Sequence, residues 1–343
     1  AARFVAAITR VVVLFVGGTP LRASELASAA PRSLALALST FGVTVAVVAG
    51  VSNLMAKAGA LSEEWTWLHG AMLGCITGGS SSIIIMPSVA QARVEARVAN
   101  LVGLESALTD AFCVVGTAAL VDILAGRATD ANPGLSLARS FGIGLGMGIV
   151  AGFLWLLLLR RLRDSSHAYP LTLAALMLLY VAADRAGGSA AFCILTVAII
   201  LGNARALAPK LGLDHKYALQ EGVQGFHSQV TFIVKSFFFT FIGAMLGPPW
   251  SLIGLGVVLG LVLLLARLPG TYLSTIASGL DGPRKALVAI SLPRGMAAGV
   301  LSTLPATAGV PGTAELPVLV FASVVTTIVV FAGAFPLVRR RMA

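Results

Sequence analysis

Apolar stretches of the roughly 20 residues needed to cross a bilayer recur from one end of this chain to the other, parted by short segments that hold nearly all the charges. Inside lipid no water satisfies a backbone, so such segments must close their own hydrogen bonds. Long apolar runs joined by brief turns do so as helices rather than as the alternating strands of a barrel. The fold class read from the sequence is therefore all-α: a multi-pass protein of the lipid bilayer with no soluble domain left over. Charged residues, 11% of 343, fit that reading, since a soluble domain carries about 25%.

Membrane helices are expected at about 3–18, 33–51, 66–91, 96–120, 137–160, 169–184, 188–204, 227–246, 251–275, 284–304 and 316–338, eleven in all. If each crosses, one side of the membrane collects Arg22, Arg32, Arg93, Arg97, Arg160, Arg161, Arg163, Arg205, Lys210, Lys216, Arg284, Lys285, Arg339, Arg340 and Arg341. The other collects Lys57, Arg127, Arg139 and Arg185. Fifteen against four is the bias of cytoplasmic loops, which places the C-terminus in the cytoplasm and makes a prokaryotic inner membrane the expected location. It also accounts for the net charge of +10, which in a soluble protein would suggest nucleic acid; no nucleic-acid partner is expected here. Cys75, Cys113 and Cys193 stand singly in apolar segments, without CxxC or clustered histidine, and read as buried small hydrophobes rather than disulfide or zinc ligands.

Two segments cannot be straight helices. The first breaks at Thr77-Gly78-Gly79-Ser80-Ser81-Ser82 with Pro87 beyond, the second at Pro293-Arg294-Gly295. Glycine and proline free backbone amides and carbonyls at membrane depth, tolerable where they line a polar cavity, and a pair of broken helices points to a transporter site. The order of elements around the breaks matches an inverted repeat, and Leu14-Phe15-Val16-Gly17-Gly18 has a weak echo in Thr240-Phe241-Ile242-Gly243-Ala244. On that alignment helices 169–184 and 188–204 lack mates in the first half, so two helices are expected ahead of Ala1, whose neighbours 3–18 read as a membrane helix rather than a signal peptide.

Charges within these helices demand explanation, because a charge at the bilayer centre costs ~2.5–3.5 kcal/mol and is usually paired and cavity-facing. Glu105 and Asp110 share helix 96–120; five residues turn a helix about 140° past a full turn, so the two carboxylates address different surfaces, and one can be structural while the other titrates. Lys235, Arg267, Arg294 and, less strongly, Arg10 are the cationic candidates. Oxygen ligands for a hard monovalent cation are at hand as a carboxylate, hydroxyls and freed carbonyls.

Glu105-Ser106-Ala107-Leu108-Thr109-Asp110 resembles the Glu-Ser-x-x-Asn-Asp signature of the monovalent cation/proton antiporter superfamily, on its sodium/proton exchanger side. The Thr77 to Ser81 break, Phe237-Phe238-Phe239-Thr240-Phe241-Ile242-Gly243, Ala266-Arg267 and Pro293-Arg294-Gly295 agree in order and position, so the resemblance covers essentially the whole chain. It implies a single transmembrane transporter domain with two crossed discontinuous helices, a core subdomain at about 33–120 and 251–338, a dimerisation subdomain at about 1–32 and 137–247, a homodimer, and elevator-like transport. It implies exchange of a monovalent cation, sodium favoured over potassium or lithium, for a proton, electroneutral, with a role in pH homeostasis and no resident cofactor. Carried over by residue, Asp110 resembles the carboxylate that binds cation or proton, with Ser106, Thr109 and the Thr77 carbonyl as neighbouring oxygens. Glu105 resembles the acid that pairs with Arg267, while Lys235, Arg294, Ser80 and Ser81 support the site. Thr109 departs from the usual Asn or Asp, Val16 stands where some relatives place a glutamate ligand, and Lys235 is additional to the simplest pattern.

Blander readings compete. The hydroxyls of Ser80, Ser81 and Ser82 can bond back to helix carbonyls. Gly142-x-Gly144-x-Gly146-x-Gly148 contains a nominal dinucleotide fingerprint, but in an apolar segment it reads as close helix packing. His69, His167, His215 and His227 read as edge or loop residues, His227 being placed to tune a pH response. Two other function classes are weighed: a sodium-coupled organic-anion symporter of the bile-acid type, against which the Glu-Ser-x-x-x-Asp motif argues, and a membrane-embedded enzyme, for which neither a nucleophile with its base nor a metal-ligand cluster is found.

Overall fold

The computed structural model describes residues 23–92, 94–126, 133–159, 168–207, 250–276 and 279–342, with Val11, Phe15, Thr19, Phe232, Ser236, Thr240 and Gly243 besides. Arg10, Val16, His167, His215, His227, Lys235 and the Phe237-Phe238-Phe239 run lie outside the described residues, as does most of the expected helices 3–18 and 227–246. Every regular element among the described residues is helical: α1 (Ala23–Lys57), α2 (Trp67–Thr77), α3 (Ser82–Gln91), α4 (Ala96–Leu124), α5 (Pro133–Leu159), α6 (Ala168–Arg185), α7 (Ala190–Gly202), α8 (Ala204–Leu207), α9 (Trp250–Thr275), α10 (Gly282–Ile290), α11 (Met296–Ser302), α12 (Leu304–Ala308) and α13 (Leu316–Met342).

Five of these are long and apolar enough to cross a membrane, at 32–57, 101–124, 138–159, 250–275 and 316–342. Of the other expected spans within the described residues, 169–184 and 188–204 are shorter helices, 66–91 is divided at 78–81, and 284–304 at 291–295. Helix starts follow local chemistry. Asp281 caps α10 by accepting from the Arg284 amide at 2.9 Å, with Pro283 in the first turn, where its missing N–H costs nothing. Ser189 caps α7 through the Phe192 amide. His69 is a buried part of the α2 cap rather than an edge residue: its Nδ1 accepts from the Thr66 amide at 3.2 Å, which leaves the proton on Nε2 for the Pro311 carbonyl, also at 3.2 Å.

The chain forms two compact units. In the first, Ala1–Ala27 with Ala128–Thr240, α5 lies against α7 along a row of glycines. A Cβ on Gly144 would sit 2.6 Å from the Ser189 carbonyl oxygen, one on Gly148 2.7 Å from that of Cys193, and one on Gly152 2.7 Å from Ile200 Cδ1; nothing lies within 4 Å of such an atom on Gly142 or Gly146. The sequence alternates glycine at every second residue, but the helix uses every fourth, the spacing that keeps small residues on one face.

The second unit, Ser28–Arg127 with Phe241–Ala343, contains both breaks. There α2 packs on α1 at Gly70 and Gly74, and α9 on α13 at Gly256 and Gly260, each pair again four residues apart. Leu36, Ile85, Val89, Val98, Val102, Leu287, Val288 and Phe331 form an apolar cluster joining α1, α3, α4, α10 and α13. The site described next lies wholly within this unit.

Candidate ion site

The two interrupted helices meet at their breaks. The Ser81 amide donates to the Pro293 carbonyl at 2.7 Å, and Arg294 Nη1 donates to the Gly78 carbonyl at 2.9 Å. Each break thereby satisfies backbone groups that the other frees, as unwound backbone at membrane depth requires. Contact is close enough to need glycine: a Cβ on Gly295 would fall 2.6 Å from Ser81 Cβ. The Arg294 amide is held by Thr327 Oγ1 at 3.0 Å, which ties the second break to α13.

Helix α4 lies against this junction and is bonded to it through hydroxyls. Ser106 Oγ donates to the Ser80 carbonyl at 2.6 Å, and the Ser80 amide donates to Thr109 Oγ1 at 3.3 Å. Thr109 Oγ1 in turn donates to the Ser106 carbonyl at 3.1 Å, and Thr77 Oγ1 to that of Leu73 at 2.8 Å. The hydroxyl protons of Thr77, Ser106 and Thr109 are thus committed to carbonyls, which leaves oxygen lone pairs free for a cation.

Glu105 and Arg267 form a bidentate pair, Nη1 to Oε1 at 3.0 Å and Nη2 to Oε2 at 2.9 Å, both side chains no more than 1% exposed. Ser80 Oγ also donates to the carboxylate, at 3.1 Å, Thr40 Oγ1 lies 3.3 Å from it with its proton turned to the Leu36 carbonyl at 2.7 Å, and Arg267 Nε donates to the Val288 carbonyl at 3.1 Å. One ion pair therefore links α1, the first break, α4, α9 and α10. The sequence marks Ser80 as a supporting residue but gives no sign that it reaches Glu105, and none of Thr40. Thr40 is 65 residues from Glu105 in the chain; α1 and α9 meet there through the packing of Gly270 against Thr40 and the Ser39 hydroxyl, which donates to the Gly270 carbonyl at 3.1 Å.

Asp110 has other surroundings. It is half-buried, and among the described residues no hydrogen bond or ion pair holds its carboxylate. It faces the first break: a Cβ on Gly79 would lie 3.0 Å from Asp110 Oδ1 and 2.8 Å from Cys113 Sγ. Cys113 is therefore a neighbour of the carboxylate, closer to the site than a mere packing residue, one helical turn on along α4. Arg294 is 1% exposed, and its Nε has no hydrogen-bond partner among the described residues. The structure thus gathers Thr77, Ser80, Ser81, Glu105, Ser106, Thr109, Asp110, Arg267 and Arg294 in one region. No group of three or more His, Cys, Asp or Glu suited to a metal ion occurs among the described residues.

The family described as sodium/hydrogen exchanger, transmembrane, matches residues 2–340. The K(+)/H(+) antiporter NhaP2 of Shewanella oneidensis is 27% identical over 307 residues, 86% of this chain and 50% of that protein. The low-affinity Na(+)/H(+) antiporter NhaS1 of Synechocystis sp. is 29% identical over 212 residues, 61% of this chain and 38% of that protein. The chain spans about half the length, or less, of these curated relatives. Among solved structures, the sodium proton antiporter MjNhaP1 from Methanocaldococcus jannaschii at pH 8 superposes with a TM-score of 0.76 at 20% identity, covering 98% of this chain and 85% of that one. At that identity the likeness is one of fold.

Proposed function

The chain belongs to the sodium/hydrogen exchanger family, and we propose that it exchanges a monovalent cation for a proton at Asp110. The observation that carries this reading is the contrast between two carboxylates on one helix: Glu105 is fully engaged, whereas Asp110, beside the first break, has no hydrogen-bond or ion-pair partner among the described residues. A lone carboxylate in low-dielectric surroundings is poorly stable as a bare anion and can be neutralised by one cation or one proton. The two ligands compete, and a site that crosses the barrier only when neutralised couples their fluxes. Exchange is then one for one and electroneutral.

Ser106, Thr109 and the Thr77 carbonyl are the oxygens proposed to complete the cation's shell, and Glu105 with Arg267 is proposed to brace the core rather than bind the ion. Sodium is the cation put first, as in the family's description, although an all-oxygen ligand set suits sodium and potassium alike. Relatives are named for potassium as well as sodium, so the ions belong in one comparison. A homodimer is part of the same proposal, with the exposed apolar side chains of α5, Leu145, Ile149 and Leu154 among them, meeting lipid or a second copy.

Everted vesicles holding an imposed pH gradient test the reading: Na⁺, K⁺ or Li⁺ added singly is expected to dissipate the gradient, and Asp110→Asn to abolish the response while leaving the protein folded. Exchange that survives Asp110→Asn overturns it.

A further inference from the structure

Buried threonines in this protein share a habit. Thr40, Thr44, Thr77, Thr109, Thr275 and Thr327 each donate their hydroxyl to a carbonyl three or four residues earlier in their own helix. Thr117 and Thr271, 0% and 3% exposed, do not, and their hydroxyls have no hydrogen-bond partner among the described residues. The helical carbonyl is always within reach of a threonine, so a hydroxyl turned away from it and left bare in the interior needs a partner of another kind, such as a water or an ion.

Of the two, Thr117 stands in line with the proposed exchange site. On α4, Asp110, Cys113 and Thr117 are three and four residues apart, which keeps them within about 60° of one helix face, with Thr117 about 10 Å beyond Asp110. Asp110 and Cys113 converge on Gly79 of the first break. One turn further along, Gly116 is packed on Cys75, where a Cβ would fall 2.8 Å from the sulfur. Asp110 keeps partial exposure, while Cys113 at 1% and Thr117 at 0% are sealed. The face of α4 just beyond Asp110 is thus a buried, weakly polar seam over Cys113 and Thr117, in which the Thr117 oxygen is uncommitted among the described residues.

We propose that Thr117 is an oxygen ligand on the cation's route to and from Asp110, receiving a partly hydrated monovalent cation when the seam toward the Leu124 end of α4 opens. The proposal rests on the reading of Asp110 as the exchange site. Alternating access requires that a path on one side of a site be shut while the other is open, and the seam has the features of the shut side: buried, continuous with the carboxylate, and holding a polar atom that the closed conformation leaves unused. Cys113 lines it as a small side chain too weakly polar to hold the ion there, so the cation passes on to the carboxylate.

Thr117→Val keeps the shape and removes the hydroxyl. Exchange is measured in everted and right-side-out vesicles with whichever of Na⁺ and K⁺ drives it. The expected result is a cation KM raised about two- to tenfold, the weight of one neutral hydrogen bond, in one orientation only. Thr117→Ser should behave as wild type. Thr271→Val, which deletes the other bare threonine hydroxyl, on a different helix, should leave KM unchanged in both orientations. If Thr117→Val does not fold, Thr117→Ala is read in the same way. A KM unaltered in both orientations, the mark of a merely orphaned hydroxyl, overturns the proposal, and so does a KM raised equally in both. Asp110→Asn is run alongside. If it is inactive while Thr117→Val is unchanged, the ligand role alone falls; if it still exchanges, the exchange-site reading falls and takes the ligand role with it.

Discussion

All three guanidinium nitrogens of Arg267 and both oxygens of Glu105 are engaged, so either residue alone would be a buried charge without its counterpart. Breaking such a pair from one side typically costs about 3–5 kcal/mol, whereas removing both charges is far cheaper. Glu105→Gln and Arg267→Gln should each lower the melting temperature in detergent, and the double variant should recover much of the loss; a double variant that melts as low as the worse single one would show that the two do not stabilise each other. At Asp110 the expected signature is competition. Acid should raise the apparent KM for the cation with little change in maximal rate, measured as initial rates at several pH values. The five-residue interval between these carboxylates already separates their surroundings in the sequence, because helical geometry alone turns them apart. What no local pattern holds is the identity of distant donors: Ser80 reaches Glu105 across 25 residues of chain, and Cys113, an unremarkable thiol in an apolar run, comes to share Gly79 with Asp110 only through packing.

Among whole elements, the interruptions were legible because glycine and proline mark them, and residues 78–81 and 291–295 are indeed non-helical. Helix ends were less so. The apolar stretch at 33–51 is part of a 35-residue helix, Ala23–Lys57, since hydropathy senses where lipid ends and not where the hydrogen-bond ladder ends. The mutual contact of the two breaks was not legible from composition at all, and it carries a sharp test. Gly295→Ala puts a methyl group against Ser81, so it should destabilise the junction and reduce exchange, and Ser81→Gly should relieve it because the clashing atoms belong to the serine side chain. A double-mutant cycle of melting temperature and exchange rate reads the coupling; strictly additive losses would mean the two residues do not meet.

For the molecule as a whole, the proposed neutralisation of Asp110 by one cation or one proton moves no net charge, so the rate and end point of exchange should be indifferent to membrane voltage. Proteoliposomes clamped with valinomycin and driven by a sodium gradient check this; a rate or equilibrium that tracks the clamped potential would rule out one-for-one exchange, with Lys235 the first candidate for a second proton. The paired breaks have a mechanical consequence too. Ser81 is bonded to Pro293 and Arg294 to Gly78, so segments more than 200 residues apart in the chain are spliced together. A tether pulling from the C-terminus should extract α13 and then meet a rupture in which α10 and α11 cannot leave without unfastening the first break. The force trace should therefore show one tall peak at that point, and Gly295→Ala should shorten it.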